Sequence, residues 1–221
     1  FGKVYKGFID NGTTIVAIKQ LDTESQQGVK EFWTEVKMLS KLQHTHLVAL
    51  IGQCNDCQEM ILVYEYVACA NCIYKTSRKE SGITTSSLTW EQRLNICIGV
   101  ARKLDYLHTG TDQGFIHQDV KTTNILLDEN WVAKIIDFGL SKGLTSHSTI
   151  HMRRKVKGTL GYFDPDYFLR HKLTKKSDVY AFGVVLFEIL SRRPLVDIKL
   201  EEDQASLILC SQECIKKGKP D

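Results

Sequence analysis

The chain has 221 residues, 43% of them apolar and 25% charged, with a formal net charge of +3. That length allows one or two domains with a substantial core, and so small a charge gives no argument for nucleic acid or a membrane surface as partner. The longest apolar run, Val179 to Leu190 interrupted by Glu188, is too short to span a bilayer and reads as a buried helix; the first residues carry no secretory signal pattern.

The opening FGKVYKG places Gly2 where a backbone can approach a phosphate closely. Ile15 to Ile18 are β-branched and small, which predicts a strand, and Lys19 follows them in VAIK. In VKEFWTEVKMLSKL, Phe32, Val36 and Leu39 recur at helical spacing, so Glu35 rides on a helix. A lysine held by a helix glutamate can point its ammonium at phosphates. Residues 60 to 66, MILVYEY, read as a strand of about 20 Å at ~3.3 Å per residue. Cys54 with Cys57 and Cys69 with Cys72 have the spacing of a four-thiolate zinc site. The strand would hold the two pairs at opposite ends, so reduced thiols are expected instead. Cys97 and Cys54 are expected to be buried as small hydrophobes.

Residues 68 to 88 are polar and read as solvated loop. Thr89-Trp90-Glu91-Gln92 is a capping box. Leu94, Ile98, Ala101, Leu104 and Leu107 follow at helical spacing and predict a long core helix to about His108. Then come IHQDVKTTNILL and KIIDFGLSK, which set Asp119, Lys121, Asn124 and Asp137 in close order. Phosphoryl transfer from a metal–nucleotide needs these types: a carboxylate to orient a hydroxyl, a cation for the moving group, and oxygen ligands for Mg²⁺. Mg²⁺ keeps several waters, so one carboxylate and one amide from the protein suffice.

These motifs, with VAIK and the helix glutamate, match the protein-kinase signature set. The chain resembles a eukaryotic protein kinase domain, and more narrowly the plant receptor-like kinases of the FERONIA (malectin-like receptor) type. HLVALIGQC, MILVYEYV, LDYLHTG, DVKTTNILLDE, KGTLGYFDPDYF and LTKKSDVYAFGVVLFEIL carry the likeness over nearly the whole chain. The resemblance implies an α+β, two-lobed kinase fold. A small β-rich N-lobe would occupy residues 1–66, incomplete at its start. A larger, mainly helical C-lobe would occupy 67–221, incomplete at its end.

The same resemblance implies ATP and Mg²⁺ as cofactors and proteins with Ser/Thr hydroxyls as substrates. It places the domain at the cytoplasmic face of the plasma membrane, in a longer receptor, with self-phosphorylation or receptor partners. Asp119, Lys121, Lys19 and Glu35 would be catalytic, and Asn124 and Asp137 would hold the metal. Gly2, Val4, Ala17, Lys19, Glu65, Val67 and Leu126 would surround the nucleotide. Val4 and Ala17 would roof an apolar slot, Tyr64 would guard its back, and Glu65-Tyr66-Val67 would be the hinge that pairs with adenine. Leu39, Leu50, His117 and Phe138 would form a column linking the lobes, and Asp178 would anchor the catalytic-loop backbone.

Leu140 to Phe163 would be the activation segment, with hydroxyls at Ser141, Thr145, Ser146, Ser148, Thr149 and Thr159. A phosphate there can order a loop through arginine contacts. Thr159 and Lys121 match the Ser/Thr-directed pattern. The basic run Met152 to Lys157 reads as a solvated face.

Two positions depart from the family pattern. Gln118 stands where most relatives have the arginine that receives the activation-segment phosphate. Without that charge, activity is expected to depend less on phosphorylation, with loop ordering falling to Arg153 or Arg154. Asp166 replaces a glutamate whose arginine partner would lie beyond Asp221. The competing readings are a pseudokinase or scaffold that binds nucleotide and partners without efficient catalysis, and, more distantly, a zinc-binding module.

Overall fold

Alternating side chains near the start of the chain build a four-stranded antiparallel sheet in the computed structural model, which describes residues 2–42, 47–56, 59–67, 88–144, 149–151 and 156–195. The strands are β1 (Gly2–Ile9), β2 (Thr14–Leu21), β3 (Leu50–Asp56) and β4 (Glu59–Glu65), in spatial order β1-β2-β4-β3. A tight turn at Asp10–Gly12 joins β1 to β2, with Asp10 and Asn11 in left-handed conformation. The register sets Val4 opposite Lys19 and Ala17 opposite Tyr64.

Helix α1 (Gln26–Leu39) starts at Ser25, whose hydroxyl accepts the Gly28 amide hydrogen. That bond satisfies one of the free N–H groups of a first helical turn. Phe32, Met38 and Leu39 turn inward, and Val36 packs half-buried against the same core. Full burial of a side chain such as Phe32 contributes about 1.5–3 kcal/mol.

Two helices form the centre of the second half. Helix α2 (Trp90–Thr109) opens on Thr89 and Gln92, which make the reciprocal capping bonds expected from the sequence. Its buried stripe is only partly the expected one. Ile96, Cys97, Val100, Leu104 and Leu107 face the core, together with Arg93 and Lys103, whereas Leu94, Ile98 and Ala101 are exposed. Leu104 and Leu107 are buried as expected, and Arg93 reaches across to the end of a later helix, where its Nη1 donates to the Ile189 carbonyl at 2.6 Å.

That helix is α4 (Lys175–Ser191), capped by the Thr174 hydroxyl. Ala181, Val184, Val185 and Ile189 are buried, but Val179 and Phe187 are exposed, so the helix is buried on one side and not all round.

Short pieces surround this pair. β5 (Phe115–Ile116) pairs with β8 (Lys142–Gly143), β6 (Ile125–Leu127) with β7 (Ala133–Ile135), and β9 (Thr149–His151) with β10 (Lys172–Thr174). Helix α3 (Pro165–Arg170) lies between β9 and β10 in the chain. One apolar cluster runs through the sheet, α1, α2 and α4, and a smaller one gathers Ile116, Leu144, Tyr167 and Leu173. No helix among the described residues is long and apolar enough to cross a membrane.

Two further expectations need correction. Cys54 is exposed on β3, while Cys97 is buried. Leu88 is buried, not solvated, because it joins the main core just before the α2 cap. Cys57, Cys69 and Cys72 lie outside the described residues, as do residues 68–87.

Candidate active site

Three elements bring charge to one place. β2 carries Lys19, α1 carries Glu35, and the turn after β7 carries Asp137. The Lys19 ammonium lies 2.8 Å from Glu35 Oε2 and 2.9 Å from Asp137 Oδ1. The other Glu35 oxygen accepts the Phe138 amide hydrogen at 3.3 Å, so one buried carboxylate ties β2 to the Asp137-Phe138 segment. Burial alone would lower the Lys19 ammonium, but the two carboxylates outweigh it and hold it above its usual value. Burial likewise works to raise the Asp137 carboxyl, and Lys19 reverses this, leaving it below the usual range. Both ions therefore stay charged at neutral pH, as a phosphate-binding cation and a metal-binding anion must.

A second cluster forms on the loop between β5 and β6. Asp119 Oδ2 lies 2.8 Å from the Lys121 ammonium, and Asp119 Oδ1 accepts the Thr159 hydroxyl at 2.7 Å. Lys121 also donates to the Thr159 oxygen at 2.8 Å, which closes a three-residue ring. Asn124 Nδ2 donates to the Asp119 carbonyl at 2.9 Å and to Oδ2 at 3.2 Å. With its nitrogen so committed, Asn124 keeps its amide oxygen for another partner. One amide oxygen with the Asp137 carboxylate is a donor set that suits a hard divalent cation.

The loop's shape is imposed from below. Asp178, on the first turn of α4, accepts the His117 amide at 2.8 Å and the Gln118 amide at 2.9 Å. Gln118 and Asp137 both have left-handed backbone, with φ 73° and 68°. Such conformations cost roughly 1–3 kcal/mol for ordinary residues and persist where surrounding bonds over-determine them. His117 packs edge-on to Phe138 with ring centres 4.9 Å apart. Its Nε2 donates to the Ile136 carbonyl and its Nδ1 accepts the Asp119 amide, the pattern of a neutral structural imidazole. Leu39 and Phe138 are buried in the main apolar cluster, and Leu50 packs partly buried against it.

The sequence matches the protein tyrosine and serine/threonine kinase family over residues 1–216. It is 56% identical to the receptor-like protein kinase FERONIA of Arabidopsis thaliana over 99% of this chain and 24% of that protein. It is 53% identical to ANXUR1 and 52% to THESEUS 1 of the same plant, each over 99% of this chain and 25% of the relative. The chain belongs to the protein kinase family. It spans about a quarter of the length of these relatives.

Within this kinase domain the remaining expected site residues lie on β1, on β2, at and just after the end of β4, and on β6. Gly2 lies on β1 with φ 150°, and a Cβ there would meet the Gln20 carbonyl at 2.5 Å, so the close approach the sequence pointed to is made first by the chain's own strand. Val4 is exposed, and Ala17 packs half-buried on the core. Tyr64 is buried behind them. Its hydroxyl has no hydrogen-bond partner among the described residues, and burial and then the Glu35 carboxylate push its pKa up. Glu65 ends β4, and Tyr66 and Val67 leave the strand. Leu126 sits opposite Lys134 in the β6–β7 hairpin, and the Lys134 ammonium reaches Glu65 Oε1 at 2.6 Å. That ion pair fastens the Leu126 hairpin to the end of β4.

Sequence reasoning missed several participants. Nothing in the pattern pointed to the Glu65–Lys134 pair, whose members are distant in the chain. Tyr162, in the segment read for its serine and threonine hydroxyls, donates to Glu188 at 2.6 Å, and Tyr167, on α3 beyond that segment, binds Gln118. Ser141, counted among the activation-segment hydroxyls, is buried and donates to the His117 carbonyl, so it is not presented for modification. Thr145, Ser146, Ser148 and residues 152–155 of the basic run lie outside the described residues. Asp166 finds an exposed partner one turn on, Arg170 at 3.4 Å.

Proposed function

We propose that this kinase domain transfers the γ-phosphoryl group of ATP to serine or threonine hydroxyls of proteins, as the cytosolic signalling part of a plant membrane receptor. The observation that carries the reading is the ring of Asp119, Lys121 and Thr159. Asp119 is the group that orients the substrate hydroxyl and takes its proton. Lys121 supplies positive charge where the phosphoryl group passes, and Thr159 fixes the Asp119 carboxylate in place. Preorganised charges of this kind lower a barrier without reorganising during the reaction.

Lys19, kept charged by its two carboxylates, positions the nucleotide phosphates, and Glu35 holds Lys19. Val4, Ala17, Val67 and Leu126 supply the apolar walls for the base, with Glu65 and Val67 offering backbone groups at its edge. Asn124 and Asp137 are the residues that would hold Mg²⁺. Bound there, the ion would neutralise charge on the phosphate oxygens. Lys19, Glu35, Asp119, Asn124 and Asp137 are all present, so no lost group supports a catalytically silent scaffold. The lobe division at residues 66 and 67 is part of the same proposal, with Val67 at the joint.

The test is a set of matched peptides with serine, threonine or tyrosine at one position, incubated with Mg·ATP and read by mass spectrometry. Phosphate on serine and threonine but not tyrosine is the expected result. Equal transfer to tyrosine would overturn the assigned specificity, and no transfer to any peptide or to the protein itself would overturn the enzyme reading.

A further inference from the structure

Gln118 cannot receive a phosphate as arginine would, yet its side chain is buried and engaged. Its Nε2 donates to the Tyr167 hydroxyl at 2.7 Å and to the Lys157 carbonyl at 3.3 Å. The Tyr167 hydroxyl also accepts the Lys157 amide hydrogen at 3.0 Å and donates its own proton to the Lys157 carbonyl at 3.1 Å. One phenol thus binds both backbone polar groups of Lys157 and the Gln118 amide, which uses its full hydrogen-bonding capacity. Tyr167 is 2% exposed and Gln118 8% exposed, so water competes little for these bonds.

The chain then passes through a gap with no room for a side chain. Gly158 has φ 129°, and a Cβ on it would lie 2.9 Å from the Gln118 carbonyl oxygen and 2.8 Å from the Phe163 ring. The next residue is Thr159, whose hydroxyl meets Asp119. A short path therefore runs from Tyr167 through Lys157 and Gly158 to the catalytic carboxylate. Its other end is fixed, since the Gln118 amide is bound by Asp178. All the groups that hold Lys157 here are neutral. Arg153 and Arg154, expected to order the loop, lie outside the described residues.

We infer that Tyr167 is a positioning residue for phosphoryl transfer: acting through Gln118 and the Lys157 backbone, its hydroxyl holds Thr159 on Asp119 without a phosphate on the activation segment. This rests on the proposed kinase activity and adds a device to it. The alternative is that a phosphate on the activation segment does the holding.

The variant Tyr167→Phe keeps the ring that packs edge-on to Phe163, 6.1 Å away, and removes only the hydroxyl. Two readouts are needed, one of them independent of catalysis. Hydrogen exchange at the Lys157 amide should speed up about tenfold or more, as expected for loss of a buried hydrogen bond. In steady-state kinetics, kcat should fall about tenfold, with KM for ATP unchanged within about twofold, because the interaction acts on Asp119 and not on the nucleotide. Gln118→Met gives a second route if Tyr167→Phe does not fold. The double variant should lose little more than the worse single one, as for residues that act as a unit.

Phosphatase treatment of the wild type should leave kcat unchanged. A phosphatase-induced loss of activity would overturn the inference and give the positioning role to a phosphate. Unchanged kcat in Tyr167→Phe, or unchanged exchange at Lys157, would overturn it as well. If the wild type transfers no phosphate, the proposed function fails while the exchange measurement still judges the clamp.

Discussion

Lys103 is a lysine buried in α2 without a counter-ion among the described residues, and replacing it should stabilise the fold. Its side chain has no exposure, its ammonium has no hydrogen-bond partner among the described residues, and Nζ lies 4.4 Å from the centroid of the Tyr106 ring. Burial pulls its pKa from 10.5 to about 7. The unfolded chain therefore binds more protons than the folded one between those values. Stability rises with pH through that window, and the full penalty stands below pH 7. A fall of that size corresponds to roughly 5 kcal/mol at 1.36 kcal/mol per pKa unit. The Tyr106 ring returns about 1–2 kcal/mol by attraction to the cation, which leaves ~3 kcal/mol. Lys103→Met keeps most of the stem and deletes the charge. At pH 6 it should melt about 6–12 °C above the wild type, taking 2–4 °C per kcal/mol for a chain of this size. The assay is thermal unfolding by circular dichroism from pH 6 to pH 10. The gap should narrow steadily above pH 7. A variant that melts at or below the wild type at pH 6, or a gap that does not change with pH, would refute the reasoning.

Other outcomes follow from the site. Lys19→Met should cut phosphate transfer by about 100-fold or more, as for loss of a preorganised charge, which a radiolabel assay reads directly. Thr159→Ala should lower kcat roughly tenfold through loss of one charge-assisted bond to Asp119, and Thr159→Ser should restore most of it; equal rates for all three would remove Thr159 from the mechanism. Gln118→Arg should make activity sensitive to phosphatase treatment where the wild type is not, because a guanidinium binds phosphate through charge-assisted pairs that an amide cannot offer; equal sensitivity of the two proteins would count against the charge argument.

The catalytic cluster was legible because its members lie on short segments of distinctive type. Asp119, Lys121 and Asn124 share one loop, and Thr89 with Gln92 announces α2 by local bonds alone. The inward face of α2 was not legible. Leu94 and Ile98 look like core residues and Arg93 and Lys103 like surface residues, yet the structure reverses them. Arg93 is inside because a carbonyl on α4 accepts from it, and that partner is 96 positions away. Glu65 with Lys134 and Gln118 with Tyr167 were hidden for the same reason, since each is a tertiary pairing with no local signature. Asp178 was expected to anchor the catalytic-loop backbone, and its carboxylate holds the His117 and Gln118 amides while Thr174 caps α4.

The most direct test of the central claim separates nucleotide binding from chemistry at Asp119. Calorimetry with Mg·ATP and a phosphate-incorporation assay would be run on the wild type and on Asp119→Asn. The account predicts equal nucleotide affinity and a fall in transfer of about 10²–10⁴-fold, the range for loss of a general base. Comparable transfer by both proteins would contradict it.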